Sequence, residues 1–484
     1  MSTQTRREFL RRTGFAAISA ALSPGCVRIG QRTLLQSKRP NIIFVLADDL
    51  GYGDLGCYGQ EKIKTPNLDR MAAEGMRFTQ HYAGSTVCAP SRCALMTGLH
   101  TGHCRVRGNK RVPLRPCDAT VAELLKKAGY ATGLIGKWGL GEPDTTGIPN
   151  KKGFDYFFGY LNQARAHNYY PDWLWRNQEK VKLDNEVVYI DEGYARGVGS
   201  AATKRVDYSH DLFTEEALQF IERNKNQPFF LYLAYTVPHA NNESHLVGRH
   251  GMEVPDYGIY QDKDWPEPQK GHAAMISRMD RDIGRLFDKL QGLGLDENTV
   301  VFFSSDNGPH TEGGAKPEFF DSNSVLRGIK RDLYEGGIRM PMIVRWPGTI
   351  KSASVTNHVS AFWDFLPTAA ELAGVKPPAD IDGISMLPTL LGQPHRQKKH
   401  KYLYWEFHER GKKQAVRMGY YKGVRLNVSR KPSGPIELYN LKTDIAEKRN
   451  VAHKHAKIVT KIERYLRTAR TPSEDFPLPK SGRK

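Results

Sequence analysis

The sequence is poor in acidic residues, and it contains no apolar stretch long enough to cross a membrane. Its 52 Asp and Glu residues are outnumbered by 71 Lys and Arg residues, so the formal net charge is +19. Such an excess attracts polyanions, and both nucleic acid and a sulfated glycan meet that description. After residue 38 no run approaches the ~18 apolar residues of a spanning helix, so we expect no transmembrane segment. A composition of 39% hydrophobic and 25% charged residues also excludes a mainly disordered chain.

Cysteine is scarce as well, and the spacing of the cysteines matches no zinc-binding pattern. The six cysteines are Cys26, Cys57, Cys88, Cys93, Cys104 and Cys117. The sequence also lacks an internal repeat, which argues against a solenoid or propeller.

Residues 1–38 have the layout of an export signal rather than of folded structure. Arg6 and Arg7 precede Phe9 and Leu10, and a short apolar stretch follows at 15–22. This arrangement is typical of a twin-arginine signal and predicts delivery by the Tat export machinery to the bacterial periplasm or the cell surface. The residues before Cys26 are similar to a lipid-attachment site, but the leucine lies one place too far upstream, so lipidation of Cys26 stays open.

Several predicted strands end in polar residues. The run at 41–47 is almost wholly apolar, which is typical of a central parallel strand buried on both faces. Further strands are predicted at 130–136, 228–235 and 299–305, and they alternate with predicted helices at 66–75, 119–129, 211–224 and 270–293. The residues that follow these strands are Asp48, Asp49, Lys137, His239, Asp306 and Asn307. Ligands of open α/β sheets bind at the carboxyl ends of the strands, so we predict an α/β fold with its site along that edge.

The remainder of the chain divides into an insertion and a second subdomain. At 140–207 the helix and strand signals give way to Gly, Pro, Asn and aromatic residues, which predicts a long substrate-facing insertion. A Pro-rich stretch at 374–382 follows a predicted helix at 362–373 and marks a boundary. We predict a catalytic domain at 39–375, a subdomain at 376–470 and a loose tail at 471–484. The subdomain combines strands at 401–407, 414–420 and 421–426, in an antiparallel sheet, with a helix at 453–467.

Cys88 lies beside the start of a predicted helix. Pro90 suits the first helical position, which would leave Cys88 one step outside the helix and facing its positive end. That location predicts a lowered thiol pKa and an affinity for anions. A lone cysteine in such a helix is otherwise a buried structural residue.

The stretch Cys-Ala-Pro-Ser-Arg at 88–92 resembles the Cys-x-Pro-Ser-Arg signature of the sulfatases, whose cysteine is oxidised after translation to formylglycine. From Arg39 to about Ala452 the chain resembles a type I sulfatase of the alkaline-phosphatase superfamily. That resemblance rests on further motifs at 47–56, 97–103, 136–138, 305–308, 327–337 and 437–441. It implies an alkaline-phosphatase-like fold and a formylglycine-generating enzyme as a maturation partner. With Cys88 modified and Cys26 in the signal, four cysteines remain, which an oxidising compartment could pair in three ways.

The resemblance also assigns roles. It implies that Cys88 is the formylglycine precursor and Arg92 its anchoring cation, and that Lys137, His239 and Lys330 bind sulfate. The implied metal ligands are Asp48, Asp49, Asp306 and Asn307. An all-oxygen set of this kind suits Ca²⁺, with Mg²⁺ as second choice. One hydroxyl of the hydrated aldehyde would attack sulfur, the second would let the sulfated form collapse and expel sulfate, and His239 or Lys330 would protonate the leaving alcohol.

One position departs from the family pattern. Sulfatases more often have a histidine two places after the lysine of the Gly-Lys-Trp motif, and here that position is Gly139. His167 is our first substitute and a predicted substrate-binding residue, while His103 and His310 are further candidates. Alternatively, this branch works without the histidine, or the protein is slow or inactive.

Three functions are consistent with these sequence features. The first is hydrolysis of sulfate monoesters, on a sugar, because aromatic residues of the insertion such as Tyr169 and Trp173 can stack on sugar rings. The second is a phosphodiesterase or phosphonate-ester hydrolase with a similar metal pocket. The third is a glycan-binding protein without catalysis. We favour the first, with a sulfated saccharide rather than nucleic acid as the partner.

Overall fold

The computed structural model describes residues 39–479. The predicted signal with Cys26 lies outside these residues, as do residues 480–484 of the predicted tail.

A mixed sheet forms the centre of the fold. Its strands are β1 (Asn41–Ala47), β2 (Met76–Tyr82), β3 (Ala131–Lys137), β4 (Tyr156–Tyr160), β5 (Trp173–Arg176), β6 (Glu179–Lys182), β9 (Phe229–Ala234), β10 (Thr299–Ser305), β11 (Arg339–Arg345), β12 (Ser354–Thr356) and β13 (Ser360–Ala361), while β7 (Glu186–Tyr189) and β8 (Ser200–Lys204) form a separate hairpin. The middle strands, in the order β10, β1, β9, β3 and β4, are parallel, and antiparallel strands flank them. This confirms the predicted α/β class and agrees with an alkaline-phosphatase-like fold.

Helices cover both faces of this sheet, so the central strand β1 is buried throughout. They are α1 (Pro66–Glu74), α2 (Cys88–Thr97), α3 (Val121–Lys127), α4 (Ser209–Arg223), α5 (Glu267–Gly292), α6 (Pro317–Phe320), α7 (Glu335–Ile338), α8 (Phe365–Leu372), α9 (Leu387–Leu390) and α10 (Ala456–Thr468). Ile43 and Val45 of β1 belong to one apolar cluster with Met275 of α5. The alternate residue Phe44 points to the other face, where its ring lies 4.7 Å from that of Phe365 in α8. Burial on both faces explains the unbroken apolar run of β1.

The register of the parallel strands brings their polar ends together. Ala47 at the end of β1 pairs with Ser305 at the end of β10, and Leu46 pairs with Ala234 at the end of β9. The residues that follow these three strands therefore leave the sheet at one edge.

The prediction of a long loop at 140–207 is wrong in part, because that stretch contains β4 to β8. Strand β4 extends the parallel part of the central sheet, and β5 and β6 add its antiparallel margin. These strands are only four or five residues long. Such short elements give little periodic signal, and pairing with longer neighbours stabilises them.

The predicted C-terminal sheet and helix are confirmed. The antiparallel sheet consists of β14 (Leu403–Phe407), β15 (Lys413–Met418), β16 (Tyr421–Arg425) and β17 (Glu437–Asn440). Helix α10 covers one face, where Ile462 packs with Val416. On the other face Trp405 donates a hydrogen bond to the carbonyl oxygen of Ala83 at 3.0 Å. The residues described after Arg39 belong to one compact unit, in which this sheet packs directly on the segment that leads into α2.

Among residues 39–479, no helix combines the length and apolar character needed to cross a bilayer. Each described cysteine is a free thiol, so none of the three disulfide pairings is present among them.

Candidate active site

The carboxyl ends of β1 and β10 bring four oxygen-bearing side chains together in the protein interior. They are Asp48, Asp49, Asp306 and Asn307, and each is 0% exposed. The side-chain amide of Asn307 donates to Asp49 Oδ1 at 2.6 Å, and the backbone N–H of Asp49 donates to Asp306 Oδ1 at 3.2 Å. The two aspartates and the asparagine are thus linked across neighbouring strands.

Three buried cations face these carboxylates, and each comes from a different part of the chain. The pairs are Lys137 with Asp48 (2.6 Å), Lys330 with Asp49 (2.7 Å) and Arg92 with Asp306 (2.9 Å). Lys137 ends β3, Arg92 lies within α2, and Lys330 belongs to the loop before α7. The fold therefore brings together the predicted metal ligands and the predicted sulfate-binding cations.

Burial and the neighbouring cations shift the pKa values of these carboxyl groups in opposite directions. Burial raises the pKa of Asp48, but Lys137 and Arg92 outweigh it and hold that pKa well below the usual range. Burial and the neighbouring Asp48 raise the pKa of Asp306 to about 7, although Arg92 opposes them. Three carboxylates in one dry pocket therefore repel one another even with three cations beside them.

The donor set has room for a hard divalent cation. Asn307 Oδ1 is buried and accepts no hydrogen bond in the part of the chain that the structure describes. Leaving such an acceptor unpaired costs about 1–3 kcal/mol, and a cation ligated by oxygen would satisfy it. Ligand atoms of Asp48, Asp49, Cys88 and His239 also lie within 4.8 Å of one another. The residues present thus fit a metal ion at this edge of the sheet.

Cys88 is the first residue of α2, rather than the residue before it, and Pro90 is the third. The first turn of a helix has free N–H groups, so proline is tolerated there too. The Cys88 thiol is buried and donates a hydrogen bond to Asp48 Oδ1 at 3.2 Å. The prediction of a lowered thiol pKa is wrong: burial, followed by the charges of Asp306 and Asp48, raises the pKa of Cys88 well above its ordinary value.

His239 lies beside Asp49, with its Nε2 3.5 Å from Asp49 Oδ2, and it also contacts Lys330. Its Nδ1 is 2.6 Å from the carbonyl oxygen of Ala240, so Nδ1 carries the proton and Nε2 accepts from Lys330 Nζ at 3.1 Å. Lys330 also donates to Glu312 Oε2 at 3.0 Å. No pattern in the sequence selects Glu312, which begins a short 3₁₀ turn after β10 and belongs to no recognised motif.

A cavity of about 760 Å³ opens over these groups. Cys88, Lys137, His239 and Lys330 line its floor, and His167 lies in the same lining. The volume is typical of a small-molecule site. All four predicted substrate-binding residues therefore border one pocket with the predicted nucleophile.

His167 lines the cavity, whereas Gly139, where a histidine was expected, is not among its lining residues. Gly139 has a φ of +80°, and a Cβ there would lie 2.9 Å from Cγ of Gln163, so a side chain is disfavoured. The ring of His167 stacks on that of His239, with centroids 4.8 Å apart. Its Nδ1 lies 3.0 Å from Glu243 Oε2. Sequence reasoning missed Glu243, although it follows His239 closely in the chain, because no motif includes it.

The other two candidate histidines are less suited to that role. His103 Nδ1 contacts Asp382 at 2.9 Å, and His103 is not among the residues that line the cavity. His310 is buried, with Nε2 at 3.2 Å from the Pro238 oxygen and Nδ1 accepting from the N–H of Glu312. Both of its ring nitrogens are therefore already in hydrogen bonds.

Comparison with models of known protein families identifies the family of this chain. Residues 40–375 match the sulfatase family model, and residues 329–471 match the model for the C-terminal region of N-sulphoglucosamine sulphohydrolase. The fold and site thus define a sulfuric ester hydrolase. The chain belongs to the sulfatase family, as a type I sulfatase of the alkaline-phosphatase superfamily.

Individual relatives agree with this assignment. The N-acetylgalactosamine-6-O-sulfatase of Bacteroides thetaiotaomicron is 32% identical, over 93% of this chain and 97% of its own. The N-acetylgalactosamine-6-sulfatase of Mus musculus is 36% identical, over 73% of this chain and 66% of its own. A solved structure of Ps i-CgsB in complex with k-i-k-neocarrahexaose superimposes with a TM-score of 0.75, at 28% identity, over 89% of this chain and 93% of that one.

Proposed function

We propose that this protein hydrolyses a sulfate monoester on a carbohydrate, and that 6-O-sulfated N-acetylhexosamine is the first substrate to test. The observation that carries the proposal is the convergence of Cys88, Lys137 and Lys330 on one cavity above the buried carboxylates. Relatives that are named for N-acetylgalactosamine 6-sulfate support the choice of sugar.

Cys88 is proposed as the precursor of formylglycine, which a formylglycine-generating enzyme would produce. The sequence motif at 88–92 and the location of the thiol in the pocket support this role. When present, the hydrated aldehyde supplies the nucleophile for sulfur. Arg92 orients that position through its hydrogen bonds to Asp306 and to the carbonyl oxygen of Lys137, at 2.9 and 2.6 Å.

Asp48, Asp49, Asp306 and Asn307 are proposed to hold Ca²⁺, with Mg²⁺ as the second choice. The flexible coordination of Ca²⁺ suits ligands from two loops, whereas Mg²⁺ demands near-octahedral geometry. The bound cation would offset the repulsion among the three carboxylates and supply positive charge beside the sulfate oxygens.

Lys137 and Lys330 are proposed to bind the sulfate oxygens, because both ammonium groups are buried and border the cavity. Their charge would stabilise the negative charge that develops during S–O cleavage. Lys330 donates to His239, so these two residues share the position from which a proton can reach the departing alcohol.

His167 is proposed as the proton acceptor that replaces the histidine absent at Gly139. A carboxylate only accepts hydrogen bonds, so the Glu243 contact places the proton of neutral His167 on Nδ1 and leaves a lone pair on Nε2. Glu243 is then a positioning residue, because it acts through His167.

The contact between His167 and Glu243 is tested with Glu243→Gln. Glu371→Gln, at an exposed position, is the control. We expect Glu243→Gln to lower kcat by about 10–100-fold with little change in KM, and Glu371→Gln to match the parent protein. Nitrogen-15 NMR of the unmatured protein should show the Nδ1–H tautomer of His167 in the parent and a weaker preference for it in Glu243→Gln, whose amide can donate as well as accept. An unchanged tautomer and kcat would refute the role of Glu243.

The activity itself is tested on matched sulfate and phosphate esters of the same sugar. We expect the matured protein to release sulfate and to act far more slowly on the phosphate, and we expect Cys88→Ala and Asp306→Ala to abolish turnover. Mass spectrometry of the peptide that contains Cys88 should show the aldehyde. Near-normal rates in either variant, or a preference for phosphate, would overturn the proposal.

Export is proposed from the sequence of the leader, to the periplasm or the cell surface through the Tat machinery. Arg6→Lys with Arg7→Lys should retain the protein in the cytoplasm, whereas the parent should be found in the exported fraction. An exported double variant would contradict a twin-arginine signal.

A further inference from the structure

We propose that Arg111, at the mouth of the cavity, binds a second anionic group on the substrate, either a carboxylate or a second sulfate. This inference rests on the proposed function, because it describes the part of the saccharide that lies outside the sulfate-binding floor. It predicts a preference for saccharides with two anionic groups over otherwise matched saccharides with one.

Arg111 lines the cavity but takes no part in the buried cluster. It is exposed, whereas Lys137 and Lys330 are buried. One guanidinium nitrogen donates to the carbonyl oxygen of Tyr194 at 2.8 Å, and the guanidinium carbon lies 5.1 Å from the centre of the Tyr194 ring. These contacts fix the plane of the guanidinium and leave other N–H donors for a ligand.

The cations around the mouth differ in whether a carboxylate already pairs with them. Arg331 lies 2.6 Å from Glu312 and 3.5 Å from Glu409, so its charge is offset by two acids. Lys110 lies 3.7 Å from Asp475. Within residues 39–479 no carboxylate lies within ion-pair distance of Arg111, although Glu142 lines the same small pocket and the charge of Arg111 acts to lower the pKa of that carboxyl. Arg111 is therefore the cation at the mouth whose charge is available to a ligand.

The chemistry of arginine indicates what that ligand is. A guanidinium presents two parallel N–H donors that match carboxylate or sulfate oxygens, which makes such pairs stronger than neutral hydrogen bonds. The buried cations on the cavity floor are the ones proposed to bind the sulfate that is cleaved. An anion at Arg111 is consequently a different group of the substrate.

Tyr194 supports this geometry from its place beside Arg111. Its hydroxyl donates to the carbonyl oxygen of Asn109 at 2.9 Å, so the segments around 109–111 and 194 are joined by two hydrogen bonds. Tyr194 is 53% exposed, and an exposed aromatic face beside a cation suits a sugar ring that bears a negative group. Arg111 and Tyr194 thus form one hydrogen-bonded edge of the cavity, so that Arg111 is not an isolated surface charge.

The test measures binding in the unmatured protein, whose Cys88 thiol prevents turnover, by isothermal titration calorimetry. The ligands are three disaccharides with the same 6-O-sulfated N-acetylhexosamine and a neutral hexose, a uronate or a second sulfated sugar as neighbour. The variants are Arg111→Gln, Arg111→Lys and, as a control that removes an exposed arginine outside the cavity lining, Arg396→Gln.

We expect the parent protein to bind the two doubly anionic ligands about tenfold more tightly than the neutral-neighbour ligand. Arg111→Gln should reduce that ratio to less than about twofold, Arg111→Lys should leave an intermediate ratio, and Arg396→Gln should keep it. A gain with the uronate only, or with the second sulfate only, identifies which anion the site takes.

Two results would overturn the inference: equal affinities of the parent for all three ligands, or an equal loss for all three in Arg111→Gln. Hydrolysis assays keep this outcome separate from the proposed function. Turnover of the neutral-neighbour disaccharide supports the proposed sulfatase function even when the preference is absent. A binding preference without any sulfate release would sustain the role of Arg111 and refute the activity.

Discussion

Replacement of Glu406 by glutamine removes a buried charge that joins three parts of the chain. Glu406 lies on β14 and is 0% exposed. Its carboxylate accepts hydrogen bonds from Arg470 at 2.7 Å, from His408 at 2.9 Å and from Arg107 at 3.1 Å. It therefore connects the C-terminal sheet with the segment after α2 and with the last described residues.

The size of the effect follows from the pKa of Glu406. Burial raises that pKa, but His408 and Arg470 lower it more, to about 2 from the ordinary value of 4.5. The difference corresponds to about 3 kcal/mol of folding free energy at pH 7. Because the pKa is lower in the folded state, this contribution is complete above pH 4.5 and is lost as the pH falls toward 2. About 2 kcal/mol remains at pH 3.5.

We expect Glu406→Gln to lose about 3 kcal/mol at pH 7 and about 2 kcal/mol at pH 3.5, because Arg107 and Arg470 lose a buried partner. Urea unfolding followed by tryptophan fluorescence measures both values. The control is Glu215→Gln on α4, an exposed carboxylate paired with the exposed side chain of Arg285, which should change stability by no more than about 0.5 kcal/mol. A loss below about 1 kcal/mol at pH 7, or a loss independent of pH, would refute the reasoning.

Three further predictions concern the metal site and two glycines. Chelation of divalent ions should lower the melting temperature, and Ca²⁺ should restore it better than Mg²⁺; a melting temperature unaffected by chelation would contradict the all-oxygen site. Gly139→His should cost about 1–3 kcal/mol and give no gain in kcat, because its Cβ would lie 2.9 Å from Gln163, and a higher kcat would disprove this. Gly136→Ala should lower the free energy of unfolding by more than about 3 kcal/mol, because its Cβ would lie 1.9 Å from the Ala234 oxygen. The control Gly348→Ala, whose Cβ would have nothing within 4 Å, should lower it by about 1 kcal/mol. Equal losses in urea unfolding would show that the close contact is unimportant.

Strands and helices with long, regular patterns were predictable from the sequence. The run at 41–47 and the run at 299–305 both form strands with the predicted bounds. Each is apolar because helices cover the sheet on both sides, and burial on both faces requires a continuous apolar run that the sequence shows. The short strands at 156–189 leave no such record, because their stability comes from pairing with neighbours.

The site was predictable to the extent that motifs mark it. Asp48 and Asp306 follow strands that the apolar pattern identifies, and Cys88 lies in a recognisable signature. Glu243 precedes one short 3₁₀ turn and Glu312 begins another, and no pattern in the sequence distinguishes them from surface acids. Only the folded structure places them beside His167 and Lys330.

The sequence by itself determined the fold class, the positions of the principal strands, and the residues whose motifs resemble those of sulfatases. These follow from apolar periodicity and from chemistry confined to a few consecutive residues. The tertiary structure alone decided that burial and neighbouring carboxylates raise the pKa of Cys88, that His167 stacks on His239 at the cavity, and that Arg111 lies at the cavity mouth beside Tyr194. The physical reason is the same in each case: burial, pKa and charge pairing depend on side chains that come from distant parts of the chain.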